Sequence, residues 1–230
     1  MAKIIESGDF VYTITIPEKT EELAEFLGIC FGDGCISISE KKKDYQVCIA
    51  GHLRLDDKYL RNFVSVLVKN LFSTEPKFRI QARSNTLLLS VRSKELAHFL
   101  NSIGMPIGRK SKSTMRVPDW IRANTEFMKS FTRGLFDTDG TFNFRLAKYH
   151  RISIAMANKE PIFAVHDFLV QQGFTIGKVV EERRTLSGSE KELVLFKLFL
   201  NGFDNFGKWM KEIGSSNPKH LNRMYPLGEI

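Results

Sequence analysis

The sequence predicts an α+β protein in which one αββαββα unit is used twice. Three observations carry that expectation. Two nine-residue segments, FLGICFGDG at 26–34 and TRGLFDTDG at 132–140, share a Gly and a closing Asp-Gly, with the closing acids 106 residues apart (139 − 33). Each is followed by a strict alternation of polar and apolar residues with the same parity. Each half then closes with an amphipathic stretch ending in Ile-Gly, at Ile103-Gly104 and Ile213-Gly214.

The elements follow from local patterns. Leu23, Phe26, Leu27, Cys30 and Phe31 recur at three- and four-residue spacings, as do Phe127, Phe131 and Leu135, so each motif segment reads as a helix with one apolar face. After Gly34, the polar Cys35, Ser37 and Ser39 alternate with Ile36 and Ile38. After Gly140, Thr141, Asn143 and Arg145 alternate with Phe142, Phe144 and Leu146. A period of two marks a strand buried on one face and wet on the other. Charged turns lead to second strands at 46–50 and 151–155, helices are expected over 56–72 and 160–172, and further strand pairs over 77–83 with 87–92 and 176–183 with 193–200. The offset between halves grows from 106 to 110 (214 − 104), which places the extra residues of the second copy in the turn 185–190. Residues 105–118, with Pro106, Gly108 and several Lys and Arg, read as the linker between a first repeat over 1–104 and a second over 119–230.

Composition narrows the functional classes. The chain is 43% hydrophobic and 26% charged, ordinary for a globular protein, and has neither an apolar run of membrane length nor a signal-peptide pattern, so a cytoplasmic, intracellular protein is expected. The net charge of +8 favours a polyanionic partner. Three cysteines, Cys30, Cys35 and Cys48, have neither CxxC nor Cys/His spacing, which argues against a zinc site or a disulfide framework.

One strand has the character of a nucleic-acid-reading surface. Lys77, Arg79, Gln81 and Arg83 alternate with Phe78, Ile80 and Ala82, so one face is wholly polar and mainly cationic. Such a face on an antiparallel sheet can enter the major groove and address base edges and phosphates. Asn143, Arg145 and Arg151 equip the second half similarly, while Lys41, Lys42, Lys43 and Lys148 lie in turns suited to gripping backbone. A plain solvated sheet face would also be polar, but it would more often intersperse acids.

The two Asp-Gly ends suggest the chemistry. Gly28 and Gly134 each cost their helix about 1 kcal/mol relative to Ala, a cost that close helix crossing would justify. If the helices pack side by side, Asp33 and Asp139 become neighbours at one end of the pair. Two close carboxylates repel and attract cations; hard divalent ions take such oxygen ligands along with carbonyls and phosphates. Those ions can polarise a phosphodiester, activate water and stabilise the leaving oxygen.

At these residues the chain resembles the LAGLIDADG homing endonucleases in their single-chain, two-repeat form. Both nine-residue segments match the motif loosely in the middle and firmly at the Gly and the closing Asp-Gly, and the likeness extends through the element order of both halves. The resemblance implies two pseudo-symmetric, saddle-shaped sheets backed by helices, joined through the motif helices and laid along the major groove of a long double-stranded DNA target. It implies that Asp33 and Asp139 bind divalent metal with the carbonyls of Gly32 and Thr138, each acid cutting one strand across the minor groove to leave short 3′ overhangs. Mg2+ is the expected cofactor, with Mn2+ substituting and Ca2+ binding without cleavage. Asp137, where the first copy has Phe31, reads as structural or capping. Lys197 is the candidate for the lysine that family members place near the metals; alignment on the Ile-Gly ends sets Leu87 opposite it. His52 and Asn158 are candidates for the remaining polar support. Ser37, Gln46, Lys77, Arg79, Gln81, Arg83, Arg92, Asn143, Arg145, Lys148, Arg151, Arg183 and Lys197, with Lys41 to Lys43, make up the expected DNA contacts.

Beside the site-specific endonuclease stand two other readings, an RNA-splicing maturase acting on intron RNA and a DNA-binding regulator that has lost catalysis. Retention of both acids counts against the last. The start at Met1, without splicing segments, favours a free-standing, intron-encoded enzyme over an intein. A monomer is expected, because the repeat already supplies the two-fold symmetry.

Overall fold

The computed structural model describes residues 14–110, 115–146, 149–185 and 192–224. The first half runs α1 (Glu21–Asp33), β1 (Gly34–Ser39), β2 (Asp44–His52), α2 (Asp57–Tyr59), a π-turn Leu60–Val64, α3 (Ser65–Phe72), β3 (Lys77–Gln81), β4 (Thr86–Arg92) and α4 (Lys94–Ser102). The second runs α5 (Asp119–Arg122), α6 (Thr125–Asp139), β5 (Gly140–Leu146), β6 (Tyr149–Met156), α7 (Lys159–Gln171), β7 (Val180–Thr185), β8 (Glu192–Asn201), α8 (Phe203–Glu212) and α9 (Pro218–Met224). Each half builds one antiparallel four-stranded sheet, in the orders β1-β2-β4-β3 and β5-β6-β8-β7. The twice-used αββαββα plan is therefore observed, with the short α5 and the C-terminal α9 as additions that the sequence patterns did not reveal. The turn at 185–190 falls, beyond Thr185, outside the described residues.

Alternation decides which face of each sheet is buried. Ile36, Val47, Ile49, Leu87, Leu89 and Val91 face the helices in the first sheet; Phe142, Ile152, Ile154, Leu198 and Leu200 do so in the second. The opposite faces stay open. The motif helices start at side-chain caps, Thr20 accepting from the Leu23 N–H at 3.2 Å and Asn124 from Glu126 and Phe127 at 2.9 and 3.1 Å. They then differ from the expected one-sided pattern. α1 is buried on every side from Leu23 to Phe31, because it is enclosed between its own sheet and α6.

The crossing of α1 and α6 joins the halves. A Cβ on Gly28 would collide with the Phe131 carbonyl oxygen, and one on Gly134 with the carbonyl of Glu25, so the two glycines are reciprocal points of closest backbone approach. Phe31 and Phe131 meet edge to face, 5.2 Å between centroids, beside them. Arg133 donates to both carboxylate oxygens of the buried Glu25, at 2.9 and 2.6 Å, tying the second half to the first.

Gly134→Ala is expected to lower stability by about 1–3 kcal/mol or more, as overpacking against an unyielding backbone does. Urea unfolding checks this: an unchanged midpoint would contradict the close crossing.

Candidate active site

α1 and α6 end side by side, each delivering its carboxylate where the next strand begins. The proximity is tight: a Cβ on Gly32 would lie 3.3 Å from Oδ2 of Asp139 and would clash with the side chain of Thr138. Burial raises the pKa of Asp33 and pushes that of Asp139 up to about 7, with the charge of Asp33 as the next cause for Asp139. The two acids are thus withdrawn from solvent, mutually repelling and in need of positive charge.

Two lysines meet that need, and both escaped the sequence reading. The Lys110 ammonium donates to the last carbonyls of α1, at 3.3 Å to Cys30 and 2.9 Å to Phe31, and also to Gly32. Burial lowers its pKa, while Asp139 and Asp33 oppose the shift. Lys219, on α9, pairs with Asp56 at 2.9 Å and shares a cleft of about 320 Å³ with Asp33, His52, Asn85 and Thr138. Lys110 and Lys219 both act on Asp33 and on Asp139, pulling each carboxyl down against the effect of its burial. A signal existed: Lys110 follows Ile103-Gly104 much as Lys219 follows Ile213-Gly214.

The chain leading to each lysine is strapped down. Before Lys110, Ile107 bridges to Ile36 and the Gly108 N–H donates to the Ile36 carbonyl at 2.8 Å, so part of the expected linker lies along the first sheet. Asn158, a sequence candidate for polar support, donates to the Lys110 carbonyl at 3.2 Å. Before Lys219, Asp137 accepts from the Ser215 hydroxyl and from the Ser216 N–H at 2.9 Å. Asn217 donates to Asp56 and to the Asp137 carbonyl, both at 3.0 Å. Burial drives Asp137 up to about 7, and the Ser215 and Ser216 hydrogen bonds restrain the rise. Asp137 is therefore a tether for the C-terminal segment. Burial alone would raise Asp56, but the Asn217 amide and the Lys219 ammonium outweigh it and hold that carboxyl below its ordinary range.

The other sequence candidates distribute over the sheets. Lys197 pairs with Glu182 at 2.5 Å, a different setting from that of Lys110 and Lys219. Register also corrects its counterpart. Ala50 pairs with Leu88 where Ala155 pairs with Lys197, so Leu88, not the buried Leu87, occupies the equivalent place. A one-residue slip had exchanged the faces. Ser37, Gln46 and Arg92 form one row across the open face of the first sheet, and Lys77, Arg79 and Gln81 line its outer strand. Arg83 leaves the strand for a 3-10 turn over Ala82–Ser84, and Lys41, Lys42 and Lys43 are exposed in or beside the turn after β1. Asn143 pairs in register with Arg151, whose guanidinium holds Asn201 at 2.7 Å and lies over Phe199. Arg183 belongs to the opposite, helix-side parity of β7, bonded to Glu181 at 2.7 Å and Glu192 at 3.3 Å. Arg145 lies in β5, and Lys148 falls outside the described residues. The His52 ring accepts from the N–H groups of Arg54 and Leu55 at 3.2 and 3.3 Å.

Among the described residues no three His, Cys, Asp or Glu side chains gather as a metal cage. Two carboxylates beside a backbone carbonyl that already holds an ammonium nevertheless fit a hard divalent ion that keeps waters and takes phosphate oxygens. No described helix is long and apolar enough to cross a membrane.

This arrangement is the LAGLIDADG fold in its single-chain, two-repeat form. The chain is similar to the homing endonuclease I-DmoI solved in complex with DNA and Mn, with a TM-score of 0.55 and 18% identity, covering 84% of this chain and 96% of that one. It is also similar to the N-terminal LAGLIDADG domain of DUF199/WhiA, with a TM-score of 0.54, 15% identity and 87% and 85% coverage. No protein-family model matches. Curated relatives include the tRNA-splicing ligase RtcB of Methanopyrus kandleri, 25% identical over 92% of this chain and 22% of that protein. The replication factor C small subunit of Methanocaldococcus jannaschii is 28% identical over 91% of this chain and 10% of its own length. The chain thus spans about a tenth to a fifth of the curated relatives it matches.

The pKa of Asp139, about 7, lies above the roughly 3.9 of an unfolded Asp. The folded state then binds more protons between those values, so the metal-free chain is expected to lose stability as pH rises from about 4 to about 7. Asp139→Asn should flatten that decline in part, since Asp137 has the same sign, and should reduce stabilisation by Ca2+ at pH 8. Thermal unfolding across pH decides; a decline and a Ca2+ response unaltered in the variant would contradict the assignment.

Proposed function

We propose that the chain is a divalent-metal-dependent endonuclease that cuts both strands of a long, specific DNA site, as homing endonucleases do. The observation that carries this reading is the juxtaposition of Asp33 and Asp139 at the ends of two crossed helices, with Lys110 and Lys219 both acting on the pair. Fold alone assigns no activity, so the reading rests on this site.

In this reading Asp33 and Asp139 hold Mg2+, or Mn2+ in its place, with the carbonyls of Gly32 and Thr138 extending the donor set. A divalent ion held there would supply Lewis acidity, polarising the phosphodiester, lowering the pKa of bound water and stabilising the leaving oxygen. Lys110 and Lys219 place positive charge beside the pair, suited to holding the phosphate and the attacking water. Each acid serves one strand, which accounts for two equivalent acids and leads to short 3′ overhangs. Solved complexes of I-DmoI with DNA and Mn or Ca support divalent metal and duplex DNA as the partners. The open sheet faces carry the proposed contacts, Ser37, Gln46, Lys77, Arg79, Gln81 and Arg92 in one and Asn143 and Arg151 in the other, while Lys197 stays held by Glu182. The chain acts as a monomer, its two repeats supplying the symmetry of the site.

The curated relatives bear on how the segment travels. A ligase and a replication factor share no activity by name, yet both contain a stretch like this chain as a small share of their length. A segment common to such different proteins is in keeping with a separable module. Its presence inside translated chains is in keeping with carriage within protein-coding frames as well as within introns.

A plasmid library of randomised sites tests the proposal: Mg2+-dependent double-strand cuts at one long recurrent site are expected, abolished by EDTA. Absence of cutting at any site, in Mg2+ or Mn2+, would sink it. Lys110→Met and Lys219→Met are each expected to slow cleavage at least tenfold while duplex binding in Ca2+ persists. Full cleavage rates in both variants would remove the lysines from the mechanism.

A further inference from the structure

The open faces of the two sheets, along which the proposed function lays DNA, differ in chemistry. Register aligns the halves residue for residue. Ala50, Leu88 and Arg79 run across the first sheet where Ala155, Lys197 and Val180 run across the second. One pair further along, Thr86 with Gln81 corresponds to Leu195 with Glu182. Where the outer strand of the first repeat offers Arg79 and Gln81, that of the second offers Val180 and Glu182.

The charges are committed differently. Lys77, Arg79 and Arg83 are exposed, and among the described residues none has an acidic partner. In the second sheet Glu182 holds both Lys197, at 2.5 Å, and Arg184. The remainder of that outer region is apolar, with Val180 46% exposed and Leu193, Leu195 and Phe199 partly exposed.

Resting on the DNA-binding role proposed for these faces, we infer that the chain holds the two halves of its site by different forces. The first sheet grips phosphates and the acceptor edges of bases through uncommitted cations, whereas the outer strands of the second are self-neutralised and meet their half-site through apolar contact. Cations that neutralise phosphates release counterions and make binding salt-dependent; cations already held by acids contribute little of this. Apolar side chains in the major groove suit the thymine methyl group. The second half-site is therefore the one whose preference follows thymine placement, and among the described outer strands that of the first sheet supplies more of the ionic grip.

The test measures binding of the full chain to a labelled mixed-sequence duplex in Ca2+ across a range of salt concentrations, by fluorescence anisotropy. Lys77→Gln/Arg79→Gln/Arg83→Gln is expected to lower the slope of log K against log salt by about 2–3, at roughly 0.9 per lost contact. Arg184→Gln/Lys197→Gln/Glu182→Gln should leave the slope within about half a unit, while Glu182→Gln alone should raise it by about 1–2 and tighten binding. Circular dichroism melts confirm that these surface variants remain folded. Equal loss of slope in the two triple variants, or an unmoved slope in Glu182→Gln, would overturn the inference alone. Absence of salt-dependent duplex binding by the unaltered chain would overturn the DNA reading and this inference together.

Discussion

The candidate site of this protein depends on how closely α1 and α6 cross. At Gly28 and Gly134 each backbone reaches the other's carbonyl, leaving no room for a side chain. Two glycines inside helices cost about 1 kcal/mol each in propensity. Burial of α1 on all sides and the bidentate Arg133–Glu25 pair offset that cost. A looser crossing would keep both sheets intact and separate the two aspartates, so close packing at this point is what makes one site out of two helix ends.

Bringing two carboxylates together creates an electrostatic problem whose solution shapes the surrounding chain. Burial and mutual repulsion raise Asp139 to about 7, and the nearest positive charges come from segments that follow the two repeats. Lys110 rests on the carbonyl end of α1, the negative pole of that helix, and Lys219 on Asp56. Asp137, Asn217, Ser215 and Ser216 serve in this arrangement as the anchorage of the second lysine. The acid two residues before the closing Asp in the second motif thus has a structural task that Phe31 does not share.

Much of the fold was legible because it rests on local periodicity. The alternation after each Asp-Gly set β1 and β5, and its parity set which face is open. Reciprocal glycines and matching acids were visible as a repeat. What was not legible depends on contacts distant in sequence. Lys110 lay in what reads as a linker, and the strap that holds it pairs with Ile36, a contact that no local pattern announces. Lys219 sits on a C-terminal helix outside the repeated plan. Lys197 is a lone cation in the apolar run Leu195–Phe199, which makes it a natural candidate for the site lysine, yet the fold of β7 onto β8 gives it Glu182 as a partner. The one-residue difference between Leu87 and Leu88 shows why: counting from a helix end misses the register that pairing imposes.

The central claim, that the crossed helices set two acids side by side to hold divalent metal, one acid for each strand, is tested most directly by anomalous diffraction from crystals of the chain with a duplex and Mn2+. The account predicts Mn2+ bound against Asp33 and Asp139, with the Gly32 carbonyl among its ligands in place of the Lys110 ammonium. Metal bound elsewhere, or Lys110 still seated on Gly32 with no ion against either carboxylate, would contradict it.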